Sequence, residues 1–136
     1  MVERVMEVLS PEQCQDLLGR HHFGRIGVVS GGAPVIFPVN YVYRDGRIAI
    51  RTDGGTKLSA AALAQVAFEI DGVDDHDRTG WSVLVRGTGY DVTDSVDEVS
   101  AHLREAALDT WAPGDREHWV RVEPTSITGR RIRDGS

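Results

Sequence analysis

Hydrophobic and polar positions between Ala33 and Ala60 change rhythm twice. Val35, Phe37, Val39, Tyr41 and Tyr43 alternate with other residues at strand spacing, and Ile48 and Ile50 resume the alternation after Asp45-Gly46. Asp-Gly between two such runs is a strong hairpin signal, because glycine accepts the positive φ of a primed turn. Gly54-Gly55 then breaks the alternation, and Thr56 stands as the N-cap of an alanine-rich stretch that reads as helix to about Gln65.

The flanking sequence yields further elements. Ser10-Pro11-Glu12-Gln13 predicts a helix start, with Cys14, Leu17 and Leu18 as its apolar face and Gly19 as its end. Arg25–Ser30 reads as a strand turned by Gly31-Gly32 into the strand that begins at Ala33. Pro38 interrupts that strand. Proline cannot donate to a ladder, which makes this an edge, a bulge, or backbone turned toward something else. Val66–Ile70 is another strand, and Asp71–Gly80 reads as a polar loop without the ligand spacing of a calcium hand. Trp81–Gly87 is a strand continuing to Val92, and Ser95-Val-Asp-Glu98 is a capping box for a helix ending near Leu108. Trp119–Val122 closes the set, with Ile127 and Ile132 extending its pairing and Arg130, Arg131 and Arg133 at the surface.

About six strands and three helices result, without the βαβ alternation of a dinucleotide fold. The pattern predicts a mainly β (α+β) protein: a compact antiparallel barrel with peripheral helices. At 136 residues, 40% hydrophobic and 26% charged, the chain reads as one domain over residues 1–136. No stretch approaches the ~20 apolar residues of a membrane span. The charged first ten residues do not form a signal peptide, and Cys14 is the single cysteine, so a cytoplasmic protein is expected, without a disulfide framework. A net charge of −6 argues against nucleic-acid binding. His21-His22 invites a metal reading, but neighbours in extended chain point to opposite sides, and no Cys, Asp or Glu stands nearby at ligand spacing.

The candidate chemistry lies at the second change of rhythm. A glycine-led helix start offers unpaired N–H groups and a positive dipole end. Thr56 adds a hydroxyl and Lys57, the only lysine in the chain, adds a charge, while Arg51 and Thr52 arrive from the preceding strand. Together they suit one phosphate; the plain alternative is a solvated loop and helix cap.

Gly24-Arg-Ile-Gly-Val-Val-Ser30, Pro34 to Tyr41, Ile50-Arg51-Thr52 with Gly55-Thr56-Lys57, and Trp81-Ser82-Val83 with Arg86-Gly87 follow one another in a familiar order. Leu9–Glu12 opens that series, and Val122–Pro124 with Gly129-Arg130-Arg131 closes it. In these motifs the chain resembles short actinobacterial members of the pyridoxamine 5′-phosphate oxidase-like superfamily, whose fold is the FMN-binding split β-barrel with six antiparallel strands. The resemblance implies that the backbone at Phe37, Pro38, Val39 and Asn40 lies along the isoalloxazine ring. It implies that Arg51, Thr52, Thr56 and Lys57 hold the ribityl phosphate. It also implies a homodimer with cofactors at the interface, walled by Trp81, Ser82 and Val83 of the partner chain and more weakly by Trp119.

The C-terminal arginine and histidine cluster of true pyridoxamine phosphate oxidases has no counterpart here, so pyridoxal phosphate is not the expected product. Thr56 stands where relatives commonly carry arginine, which leaves a deazaflavin coenzyme as an alternative to FMN, and haem as a further one. The expected function is therefore an FMN-dependent oxidoreductase acting on a small organic substrate, with NAD(P)H as a possible electron donor. A cofactor carrier without turnover and a dimeric interaction module are the alternatives. No Ser–His–Asp set or Gly-x-Ser-x-Gly elbow points to hydrolysis. His22, Tyr41 and Tyr43 are acid–base candidates if they face the pocket.

Overall fold

The computed structural model describes residues 3–52, 64–92, 100–101 and 118–135. In chain order these form β1 (Arg4–Val8), α1 (Pro11–Arg20), β2 (Phe23–Ser30), β3 (Ala33–Arg44), β4 (Arg47–Thr52), β5 (Gln65–Asp74), β6 (Thr79–Asp91) and β7 (His118–Asp134). The sheet order β1-β7-β4-β3-β2-β5-β6, with β6 also pairing β7, brings six antiparallel strands into a ring and leaves β1 outside it on β7. No helix among the described residues is long and apolar enough to cross a membrane.

The ring is unevenly sewn. β2 pairs β3 along its whole length but meets β5 only at Arg25–Gly27, and β3 meets β4 only at Tyr41–Arg44. It is therefore an incompletely closed sheet rather than a regular barrel. Alternation sends Ile26, Tyr41, Ile48, Ile50, Phe68, Val83, Val85, Val120 and Val122 inward, where all are buried. α1 plugs one end with Cys14 and Leu18, and the Tyr41 hydroxyl donates to the Leu18 carbonyl at 2.7 Å. Gly129 lies under this helix: a Cβ there would come within 2.7 Å of the Cys14 sulfur.

Local signals explain most element ends. Asp45 and Gly46 adopt φ of 54° and 78°, and Gly31 and Gly32 adopt 59° and 81°, as primed hairpin turns require. At the start of α1, the Gln13 N–H donates to the Ser10 hydroxyl at 3.1 Å, and the Ser10 N–H donates to the Gln13 side chain at 2.8 Å. Ser10→Ala removes one half of this capping box and is expected to cost about 1 kcal/mol, read by thermal or denaturant unfolding.

Several expectations need correction. One whole helix is described where three were expected, and Ser100 and Ala101 are helical within the span expected from Ser95 to near Leu108. The two others were expected over spans that fall mainly on residues 53–63, 93–99 and 102–117, outside the described residues, and Gln65 is already strand. α1 runs through Gly19 to Arg20. Pro38 does not break β3, which is continuous to Arg44. Asp71–Gly80 is mostly a hairpin, because Asp71 lies on the outward face while Trp81, paired with Gly72, roofs the missing side chain from the neighbouring strand. β1 was not anticipated: Val5 and Glu7 are its half-buried positions, Glu7 held by Arg131 and by Arg133 at 2.6 Å, while Met6 and Val8 point out.

Candidate functional site

Among the described residues, the β3–β4 ladder is one of the two short seams of the ring. It ends at Tyr41–Ile50, after which β4 carries Arg51 and Thr52 along β7, opposite Trp119 and His118. Residues 33–40 of β3 pair with β2 on one side and, among the described residues, with nothing on the other. The Tyr41 N–H donates to the His22 carbonyl at 2.9 Å, which sets the phase of the strand. Odd residues turn their backbone groups toward β2, and Pro34, Ile36, Pro38 and Asn40 turn theirs toward the wedge. Both prolines thus place their donor-less nitrogens on the unpaired edge, where they cost no ladder bond. The N–H of Asn40 and the carbonyls of Pro38 and Asn40 face the opening.

Side chains around the wedge follow the same alternation. Phe37 and Val39 point into the core, while Pro38 and Asn40 point outward, and the Asn40 amide donates to the His22 carbonyl at 3.4 Å. Arg51 is half-buried, its guanidinium 5.8 Å from the Trp119 ring centre, a cation–π placement that steadies a charge at the mouth of the wedge. Residues 37–40 of β3 and the backbone of residues 51–52 of β4 thus flank the point where the β3–β4 ladder ends, with Phe37 and Val39 turned into the core and Pro38, Asn40 and Arg51 outward. Thr56 and Lys57 lie outside the described residues.

Trp81, Ser82 and Val83 do not share a surface. Val83 is in the core, and Trp81 faces inward over Gly72 with its ring 4.9 Å from that of His21. Only Ser82 points outward, in a row with Asp71 and Arg130. The tyrosines expected as acid–base candidates also face inward: Tyr41 is fully buried and Tyr43 packs on the core. Burial raises the pKa of both, and neither offers a proton to the wedge. No group of three or more potential metal ligands occurs among the described residues.

One cluster escaped the sequence reading. Glu69 and Asp71 are two apart on β5 and so share its outward face, where Arg25 of β2 donates to them at 3.2 and 3.4 Å. Burial, then the hydrogen bond and charge of Asp71, push the Glu69 carboxyl up to about 7 against the pull of Arg25. A carboxyl with a raised folded-state pKa stabilises the fold fully below its unfolded value, and that contribution fades as pH rises from about 4.5 through 7. Glu69→Gln is thus expected to raise the melting temperature at pH near 8 and to leave it unchanged near pH 4. Discounted for solvent screening of a partly exposed group, the gain is about 1 kcal/mol. Beside this cluster runs an outward groove of about 750 Å³, lined by Met6, Val73, Leu84 and Ile132 with Ser82 and Arg130.

Residues 10–131 match the family model described as pyridoxamine 5′-phosphate oxidase. The protein Rv0080 of Mycobacterium tuberculosis is 34% identical over 130 residues, which cover 91% of this chain and 84% of that one. The solved structure of the FAD binding protein from Mycobacterium smegmatis is 41% identical, covers 93% of this chain and 99% of its own, and superposes with a TM-score of 0.77. DIP1874 of Corynebacterium diphtheriae is 28% identical, with 94% and 98% of the two chains covered and a TM-score of 0.76.

Proposed function

The chain belongs to the pyridoxamine 5′-phosphate oxidase family, and from that premise we propose that it binds a flavin nucleotide in the wedge between β3 and β4. This reading is supported by the edge of β3 at Pro38–Asn40, which has no strand partner among the described residues and adjoins Arg51 at the exit of β4, its guanidinium 5.8 Å from the Trp119 ring centre. An isoalloxazine ring has one polar edge of alternating donors and acceptors and two apolar faces. Unpaired backbone groups suit that edge, and the flat Pro38 ring suits a face. Arg51 and the backbone at Thr52 lie where the phosphate would be held, with Thr56 and Lys57 next along the chain.

The family relationship and the outward apolar groove support a homodimer in which Ser82 of one copy borders the wedge of the other. FMN is the cofactor expected from the motifs. FAD is the second reading, favoured because the 41% identical relative is an FAD binding protein. When bound, either supplies two-electron chemistry, and the chain contributes binding, orientation and exclusion of water. A small organic substrate and a nicotinamide donor complete the oxidoreductase reading.

Titration with FMN, FAD and a deazaflavin, followed by anaerobic addition of NAD(P)H, tests this. Tight uptake of a flavin and bleaching of its visible band support an oxidoreductase. Uptake with no reduction by NAD(P)H would favour a carrier, and uptake of none would overturn the reading.

A further inference from the structure

The register sets Glu7, Arg131, Trp81 and Gly72 in one row across β1, β7, β6 and β5, on the side of the sheet that faces α1. Because Gly72 has no side chain, the Trp81 ring leans over it, with the His21 ring 4.9 Å away. That lean leaves room beside Arg131. A cavity of about 350 Å³ lies there, between α1 and the β6–β7 ladder. Leu9, Leu17 and Trp81 give it apolar walls, and Gln13, Arg20 and Arg131 give it donors. It shares no lining residue with the wedge at Pro38–Asn40 and Arg51.

Arg131 is only half used by the fold. Its Nη2 donates to Glu7, while its Nε is buried without an acceptor among the described residues. A buried guanidinium N–H left unmatched is costly, and such groups are rare. Glu7 divides its two oxygens between Arg131 and Arg133, so one carboxylate serves two guanidiniums. At the mouth Arg20 is paired with Asp16 at 3.0 Å. Arg20, Arg131 and Arg133 thus stand against two carboxylates, Asp16 and Glu7, and one positive charge is left over. Gln13 spends its side-chain oxygen on the Ser10 N–H, which leaves its amide nitrogen to donate. The cavity therefore lacks an acceptor and a negative charge. We propose that it binds a small aromatic carboxylate, whose carboxylate accepts from the Arg131 Nε and whose ring lies against Trp81 and Leu17. A single excess charge suits a monoanion, the apolar walls suit a ring, and the volume lies near the small end of ligand pockets.

The test is a titration of the full chain with sodium benzoate near neutral pH, read by NMR at the Trp81 indole N–H, which Trp81→Phe identifies by its loss. A saturable shift is expected. Benzamide, the neutral isostere, and acetate, which has no ring, are each expected to bind about tenfold more weakly. Arg131→Lys keeps a charge beside Glu7 but has no Nε–H, and is expected to lose about tenfold in affinity for benzoate. Arg20→Gln, at a side chain 65% exposed, leaves Asp16 unbalanced at the mouth and is expected to lose on the order of threefold. Melting temperatures check the fold of both variants. Excess FMN is expected to leave the benzoate shift in place whether or not FMN itself binds, so the flavin reading can fail without this one. No shift at Trp81, equal affinity for benzoate and benzamide, unchanged affinity in either variant, or displacement of benzoate by FMN overturns the site.

Discussion

Gly87→Ala is expected to melt on the order of 10 °C below the wild type, the largest stability loss anticipated for a one-methyl change in this chain. The β6–β7 register shifts between Arg86 and Gly87. A Cβ at position 87 would lie 2.2 Å from the Glu123 carbonyl oxygen, 2.9 Å from its carbon and 3.0 Å from the Pro124 Cα. All three are backbone atoms, so no side-chain rotation relieves the clash. The ladder that closes the ring must open instead. The cost is about 3 kcal/mol, in the upper part of the range for overpacking. Gly19→Ala is the matched control: nothing lies within 4 Å of its new Cβ, and a helical alanine is favoured over glycine. Wild-type stability in Gly87→Ala would contradict the bulge as the fixed point of closure.

Arg51→Ala is expected to weaken flavin binding by roughly 10- to 150-fold, or about 1.5–3 kcal/mol. Two features give Arg51 this weight. It is partly withdrawn from water, which strengthens a charge-assisted contact, and its stacking on Trp119 holds the guanidinium ready rather than ordering it on binding. Arg51→Lys keeps the charge but loses the planar stack and the two-point grip, and an intermediate affinity is expected. Lys57→Ala is expected to weaken binding over the same range. Fluorescence titration measures all three, with melting temperatures as the folding control. Unchanged affinity in Arg51→Ala would detach the phosphate from the end of β4.

Much of this was legible because short-range chemistry governed it. Asp45-Gly46 and Gly31-Gly32 announce their hairpins through a backbone conformation other residues avoid, and Ser10, Pro11 and Gln13 announce α1 through hydrogen bonds within one turn. The wedge was half legible. Pro38 signalled an unpaired edge, but that the edge opens beside Arg51 depends on where the β3–β4 ladder stops, a long-range property. Failures came where the partner strand decides. Glu7 and Asp71 look like solvated positions until arginines from β7 and β2 pair with them. Gly72 looks like a loop residue until Trp81 covers it. The run Trp81-Ser82-Val83 reads as one motif, yet strand alternation divides it between core and surface.

The most direct test of the flavin site is a crystal structure of the chain with FMN or FAD bound at one equivalent per copy. The isoalloxazine is expected along the open edge at Pro38–Asn40, its phosphate beside Arg51 and Thr52, and Ser82 of the second copy near the ring. A flavin seated elsewhere, for instance under α1 or in the Met6–Ile132 groove away from β3, would contradict it.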